Sequence, residues 1–327
     1  MLEHGGRLRA AAERYRIPLA EWVDLSTGIN PRAYPVPALP PEVWQRLPEA
    51  NDGLEAAAAA YYGSASLLPV AGSQAAIQAL PACFPPGRAV TLAPTYAEHP
   101  HAWREHALRA LPAAAIADAV DSADTLLLVQ PNNPDAQRFP REQLLAWRAR
   151  LAARGGRLIV DEAFLDAEPG DSLVPLAGEP GLVVLRSVGK FFGLAGARVG
   201  FVFAEADLLA RLADRLGPWA VSGPARAVTA AALADRSWQE AARRRLNADS
   251  ARLAALLDRH GLAGGGGTAL FQWRPTPDAV AIHARLAEQA ILTRLFETPA
   301  GLLFGLPGPE IEWERLAAAL SRRSDPG

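Results

Sequence analysis

Through the middle of the chain, short unbroken apolar runs alternate with longer stretches in which apolar residues return every three or four positions. Leu67-Leu-Pro-Val70, Ala89-Val-Thr-Leu92, Thr125-Leu-Leu-Leu-Val129, Arg157-Leu-Ile-Val160, Leu182-Val-Val-Leu185 and Val199-Gly-Phe-Val-Phe203 have the length and β-branched content of buried strands. The spacing predicts helices over residues 75–83 and 142–154. Alternation of this kind from about residue 67 to residue 203 predicts a mostly parallel sheet with helices on both faces.

The flanks follow other patterns. Helical spacing over residues 8–15 leads through Trp22-Val-Asp-Leu25 into a Pro-rich crossing that ends at Pro41, an extended arm with little secondary structure. Residues 41–62 predict one helix stopped at Gly63. Residues 207–259 predict a long helical region, followed by a break at 261–267, a strand at 268–273, a helix at 278–289, a strand pair at 291–296 and 302–306, and a last helix at 312–322. The expected organisation is an N-terminal arm (1–40), a large α/β domain (41–215) and a smaller α+β domain (216–327). No internal repeat is visible, and the Gly run is too short to link independent modules.

Composition narrows the possibilities. A chain of 327 residues, 50% of them hydrophobic, can bury a sizeable core. The formal charge of -2 argues against a nucleic-acid or acidic-membrane partner, which needs a concentrated positive field. Cys83 stands alone, so no disulfide forms within the chain, and no metal site is expected. The opening residues lack the basic-then-apolar pattern of a signal peptide, and no apolar run is long enough to span a bilayer; a cytoplasmic protein is expected.

The candidate chemistry centres on Lys190, the only lysine in the sequence. A lysine after a strand is usually a solvated loop residue, but this chain otherwise places its positive charge on Arg. A partly buried amine loses part of its charge preference, which suits imine formation with an aldehyde. Asp161 ends another strand and can pair with a protonated pyridine nitrogen; an imine-forming lysine with such a carboxylate is what pyridoxal phosphate requires. Gly72-Ser73 opens a helix and suits a phosphate, or is an ordinary cap. Tyr96 can stack on a flat ring or sit in the core. Asn133 can donate to a phenolate oxygen or close a turn. Gly72, Tyr96, Asn133, Asp161 and Lys190 each follow a predicted strand, at the rim where open α/β sheets bind ligands.

The order Gly72-Ser73, Pro94-Thr-Tyr96, Pro131-Asn-Asn-Pro134, Asp161-Glu-Ala-Phe164, Ser187-x-x-Lys190 and Arg198-x-Gly200 resembles the fold-type I pyridoxal-phosphate enzymes of the aminotransferase family. His4-Gly5-Gly6, Asp24-Leu-Ser-Thr-Gly-Ile-Asn-Pro31, Asp161-Glu-Ala-Phe-Leu-Asp166, Gly189-Lys-Phe-Phe-Gly-Leu-Ala-Gly196 and Phe304-Gly-Leu-Pro-Gly308 are similar to the threonine-phosphate decarboxylase branch, relatives of the histidinol-phosphate aminotransferases. The resemblance implies a fold-type I transferase fold and a homodimer. It implies that Lys190 carries the cofactor, Asp161 pairs with its ring nitrogen, Asn133 bonds its ring hydroxyl and Tyr96 stacks on it. Gly72, Ser73, Ser187 and Arg198 would hold the cofactor phosphate, and His4, Gly5 and Gly6, with Asn133, the phosphorylated amino-acid substrate. The implied reaction is decarboxylation of threonine phosphate for the cobalamin aminopropanol arm. Transamination, or an idle protein of this fold in corrin assembly, stays open.

Four positions depart from the relatives. Leu47 replaces a Tyr that reaches the partner subunit's cofactor, Phe164 replaces a Tyr, and Gly189 replaces a phosphate-binding Ser. Leu303 stands where relatives carry the Arg that grips the substrate carboxylate, with Arg32 and Arg294 as candidate substitutes.

Overall fold

The computed structural model describes residues 4–321. In chain order the elements are α1 (Leu8–Tyr15), β1 (Val23–Leu25), α2 (Glu42–Gln45), α3 (Leu54–Tyr62), β2 (Leu67–Val70), α4 (Ser73–Ala79), β3 (Arg88–Leu92), α5 (Glu98–Ala102), β4 (Ala107–Leu111), α6 (Ala113–Ala119), β5 (Thr125–Val129) and α7 (Arg141–Ala152). They continue with β6 (Arg157–Asp161), β7 (Leu182–Ser187), β8 (Gly200–Phe203), α8 (Ala206–Leu216), α9 (Gly223–Ala234), α10 (Arg236–Arg259), β9 (Gly266–Thr268), β10 (Phe271–Pro275), α11 (Ala279–Ala287), β11 (Ile291–Glu297), β12 (Ala300–Gly305) and α12 (Glu310–Ser321).

The larger unit comprises Ala33–Asn133 and Gln137–Ala242. Its seven-stranded sheet has the order β2-β8-β7-β6-β5-β3-β4. The pairs from β4 through β3, β5 and β6 to β7 are parallel, and β8 runs antiparallel to both its neighbours. The carboxyl ends of β2, β3, β5, β6 and β7 therefore share one rim, and β8 begins at that rim. Strands β5 and β7 are buried at every position, as expected of strands covered on both faces. Ile77 of α4 and Leu208 and Leu212 of α8 pack on Leu127, Ile159, Val183, Leu185 and Val202. Each such side chain contributes roughly 1.5–3 kcal/mol by leaving water.

The second unit comprises the chain up to Arg32, Pro134–Ala136 and the chain from Arg243 onward. Its five-stranded sheet has the order β1-β11-β12-β10-β9. β1 pairs in parallel with β11, Val23 opposite Ile291, and α1 packs through Ala11 on a cluster with Trp22, Ala287, Ala290 and Leu292.

The structure divides the chain differently from the expected 1–40, 41–215 and 216–327. The first boundary falls at Arg32, because β1 is a strand of the C-terminal sheet rather than part of a separate arm. The second falls inside α10, between Ala242 and Arg243, because α8 and α9 pack against α4, β2 and α3 of the larger unit. The single helix expected over 41–62 is two. α2 ends at Gln45 with Pro48 soon after, and Gly53, at φ 99°, precedes α3. The region 207–259 is three helices, the first ended by Gly217 at φ 74° and Pro218. β4 went unpredicted because it is an edge strand with no buried residue, so it carries no apolar run. Among the described residues no helix is long and apolar enough to cross a membrane.

Candidate active site

The rim of the seven-stranded sheet holds a cavity of about 110 Å³. Ser73, Tyr96, Asn133, Asp161, Ser187, Lys190 and Arg198 all line it, as do Gln74, Phe164 and Gly189. Residues from five strand ends, far apart in sequence, thus meet in one place. Gly72 lies directly behind, against Arg198.

Asp161 closes β6 and is 3% exposed. Its Oδ1 accepts the Ala163 N–H at 3.1 Å, and its Oδ2 lies 2.9 Å from His99 Nε2. His99 is itself buried, its ring edge-on to Tyr96, and its Nδ1 has no hydrogen-bond partner. A lone pair left unmatched costs less than a buried N–H, so the ring proton belongs on Nε2, which donates to Asp161. Both carboxylate oxygens are thereby held, and the group presents a set orientation. His99 escaped the sequence reading; its signal is its position three residues after Tyr96.

The Gly72-Ser73 turn, Ser187 and Arg198 form a second cluster. Gly72 has φ 73° and ψ 155°, a conformation that L residues rarely adopt and that strains them. A Cβ there would stand 2.6 Å from Arg198 Nη2, and one on Gly200 would stand 2.5 Å from Ser73 N. Only glycine at both places lets the turn, β8 and the guanidinium meet. Arg198 adopts φ 53° after a one-turn 3-10 segment and donates to Ala195 O at 3.2 Å. Ser187 Oγ accepts the Gly189 N–H at 3.3 Å.

Two amide side chains, Gln74 and Asn132, set Tyr96 and Asn133. Tyr96 donates to Gln74 Oε1 at 3.4 Å, and Gln74 donates onward to buried Glu98 at 2.7 Å. Asn132, fully buried, donates to Pro94 O at 2.8 Å and accepts from Thr95 Oγ1 at 2.9 Å. It therefore ties the loop after β5 to the loop after β3, and so places both Asn133 and Tyr96. Lys190 Nζ lies 5.3 Å from the Phe164 ring centroid.

The remaining expected residues belong to the C-terminal unit. His4 and Gly5 line a cavity of about 410 Å³ with Arg7, Arg14, Ser26, His283, Thr293 and Arg294; Gly6 does not line it. The Gly6 N–H donates to Ser26 Oγ at 2.7 Å, and a Cβ on Gly5 would collide with Ser26 O. His283 Nδ1 lies 3.0 Å from Thr293 Oγ1. Leu303 is buried on β12, paired with Arg294 of β11 on one side and Trp273 of β10 on the other. Arg32 is committed to Gly308 O at 3.2 Å. Leu47, in the larger unit, is 63% exposed.

The family model for aminotransferase class I and II matches residues 47–301, most of the chain. The chain belongs to this family. It is 56% identical to a threonine-phosphate decarboxylase of Pseudomonas aeruginosa, over 100% of this chain and 99% of the relative. Solved structures share the fold. A histidinol-phosphate aminotransferase of Sinorhizobium meliloti, solved in complex with pyridoxal-5'-phosphate, superposes with a TM-score of 0.79 at 20% identity over 98% of this chain and 97% of that one. An L-threonine-O-3-phosphate decarboxylase of Porphyromonas gingivalis gives 0.75 at 20% identity over 90% and 97%.

Proposed function

We propose that the protein is a pyridoxal-phosphate-dependent threonine-phosphate decarboxylase, converting L-threonine O-3-phosphate to (R)-1-aminopropan-2-yl phosphate and CO2. The observation that carries the reading is the cavity that gathers Lys190, Asp161, Asn133 and Arg198, in a chain similar along its whole length to such a decarboxylase. The donor set suits the cofactor. A primary amine matches its aldehyde, a carboxylate held at both oxygens matches its ring nitrogen, and Asn133 matches its ring oxygen. Arg198, Ser73 and Ser187 match its phosphate, beside a glycine cradle that a Cβ would fill.

When bound, pyridoxal phosphate supplies a sink for the electron pair left on the substrate Cα. Asp161 would pair with its protonated ring nitrogen. Lys190 would hold its aldehyde end and, as the amine of the cavity, would deliver a proton to the substrate Cα once the carboxylate has left. Tyr96, anchored by Gln74, would lie against the cofactor ring. The chain's task is to decide which Cα bond stands perpendicular to that ring. Within the second unit, the basic lining around His4 and Gly5, with Arg7, Arg14 and Arg294, suits a phosphate dianion.

The enzyme is read as a cytoplasmic homodimer serving the cobalamin aminopropanol arm. The exposed Val36, Trp44, Leu47 and Trp219 of the larger unit offer apolar surface that a second subunit would cover. The test is incubation of purified protein with threonine phosphate, with and without 2-oxoglutarate. CO2 released without the oxo acid supports the decarboxylase. Glutamate formation makes the protein an aminotransferase, and a cofactor-loaded protein inert in both tubes makes it an idle member of the family.

A further inference from the structure

The motif Asp161-Glu-Ala-Phe-Leu-Asp166 contains two acids that this chemistry leaves unused. Glu162 and Asp166 are buried, and the equally buried Arg186 reaches both. Arg186 Nη1 donates to Glu162 Oε2 at 3.1 Å and to Glu162 O at 3.3 Å, while Nη2 donates to Asp166 Oδ1 at 3.4 Å. Glu162 also accepts from Ser172 Oγ at 2.6 Å and from the Leu173 N–H at 2.8 Å. The guanidinium lies 4.7 Å from the centroid of the Tyr62 ring. Burial works against the Arg186 charge, yet Asp166 and Glu162 outweigh it and hold the group protonated; burial pushes Glu162 up, with Arg186 pulling back.

The place of this cluster matters more than its charge. β6 and β7 run parallel with Asp161 opposite Leu185, and the Glu162 N–H donates to Leu185 O at 2.9 Å. Successive side chains on a strand point to opposite faces, so Glu162 and Arg186 stand behind the sheet from Asp161 and Ser187. We propose that Arg186 is a positioning residue, and that the Arg186–Glu162–Asp166 cluster clamps the ends of β6 and β7 from behind, holding Asp161 and Lys190 at a set separation. The hydrogen-bonded ladder fixes the register of β6 and β7 as far as Leu185, while apolar packing beyond it leaves rotation of the strand ends soft. A planar fork bonded to two acids and a backbone carbonyl fixes distance and angle together. Two groups that must grip one rigid ring need that. The role presupposes the pyridoxal-phosphate site proposed above.

Three variants test it: Arg186→Met, Arg186→Lys, and Arg186→Met combined with Glu162→Gln and Asp166→Asn, which neutralises both acids that lose their partner and keeps the interior foldable. In the cofactor-free proteins, amide exchange at Glu162 rises about tenfold or more in both Met variants, since local opening governs exchange. Affinity for pyridoxal phosphate falls about tenfold or more, and the titration midpoint of the visible band moves by about one pH unit, as a displaced partner requires. Arg186→Lys recovers part of each loss, and the combined variant melts near the wild type while keeping the weakened site. The clamp is overturned by a folded combined variant that retains wild-type affinity, midpoint and exchange. A wild-type protein that takes up no pyridoxal phosphate would sink the cofactor reading instead, and exchange at Glu162 in the cofactor-free proteins would still decide for or against the clamp.

Discussion

Replacing Gly72 with Ala isolates the contribution of the glycine cradle to the cofactor site. The backbone there sits at φ 73° and ψ 155°, which costs an L residue about 1–3 kcal/mol. The new Cβ would stand 2.6 Å from Arg198 Nη2 and 3.1 Å from its Cζ. Carbon and nitrogen settle near 3.5 Å, so the guanidinium must retreat by about 1 Å. It is the end of a flexible side chain, so Arg198 moves and the fold survives. A charge-assisted hydrogen bond to phosphate is thereby lost or stretched, worth about 1.5–3 kcal/mol, or roughly 10- to 100-fold in affinity. Equilibrium binding of pyridoxal phosphate, read from its visible band, measures the loss; a melt of the cofactor-free protein measures the backbone strain. Arg198→Met should lose similar affinity with little strain. Wild-type affinity in Gly72→Ala would refute the assignment of this cradle to the phosphate.

Three further outcomes are expected. Lys190→Ala should abolish the visible band of the protein-bound cofactor, because Lys190 is the only lysine in the chain; a band that persists removes Lys190 from the centre of the site. His99→Phe keeps the ring volume but strips the buried Asp161 Oδ2 of its donor at 2.9 Å, which should cost the cofactor-free protein about 1–3 kcal/mol of stability, measured by denaturant melts; an unchanged melt removes His99 as the group that holds Asp161. Arg226 grips Asp52 Oδ2 at 2.5 Å and Glu55 Oε2 at 2.7 Å, tying the start of α3 to α9. Although burial pushes Asp52 up, Arg226 and the Leu54 N–H hold it below its usual 3.8. A depressed carboxylate stabilises the fold above that value and loses its contribution as the pH falls through the folded-state pKa. Arg226→Met should destabilise the protein at neutral pH by about 1–2 kcal/mol, discounted for the partial exposure of both acids, and flatten the loss of stability below about pH 4; denaturant melts from pH 3 to 7 check both.

Much of the α/β core was legible because its signals are local. A strand buried on both faces must be apolar along its whole length, so β5 and β7 announce themselves in Thr125–Val129 and Leu182–Ser187. The residues at the rim were legible because each directly follows such a run. β4 was illegible for the complementary reason: an edge strand with no buried residue needs no apolar side chains. The helix breaks at residues 46–53 and 217–222 were written in Pro48, Gly53 and Gly217, yet a helix-like spacing on either side masked them. The expected boundaries at 40 and 215 failed because a domain edge is a matter of contacts. Nothing within Trp22-Val-Asp-Leu25 says that β1 pairs with β11 some 270 residues later.

By itself the sequence determined which residue types reach the rim: one primary amine, a carboxylate at a strand end, a glycine directly before a serine, and an arginine two residues before a glycine. The tertiary structure alone decided that these groups line a single cavity, that His99 and Ala163 hold both oxygens of Asp161, and that His4 and Gly5 line a cavity of the C-terminal unit. It also decided that Arg186 meets Glu162 and Asp166 behind the strand ends. The division has a physical reason. Strand and turn propensities act over a few neighbouring residues, whereas the partner of a buried polar atom is chosen among every group the fold brings within 3 Å or so, and sequence distance carries no record of that choice.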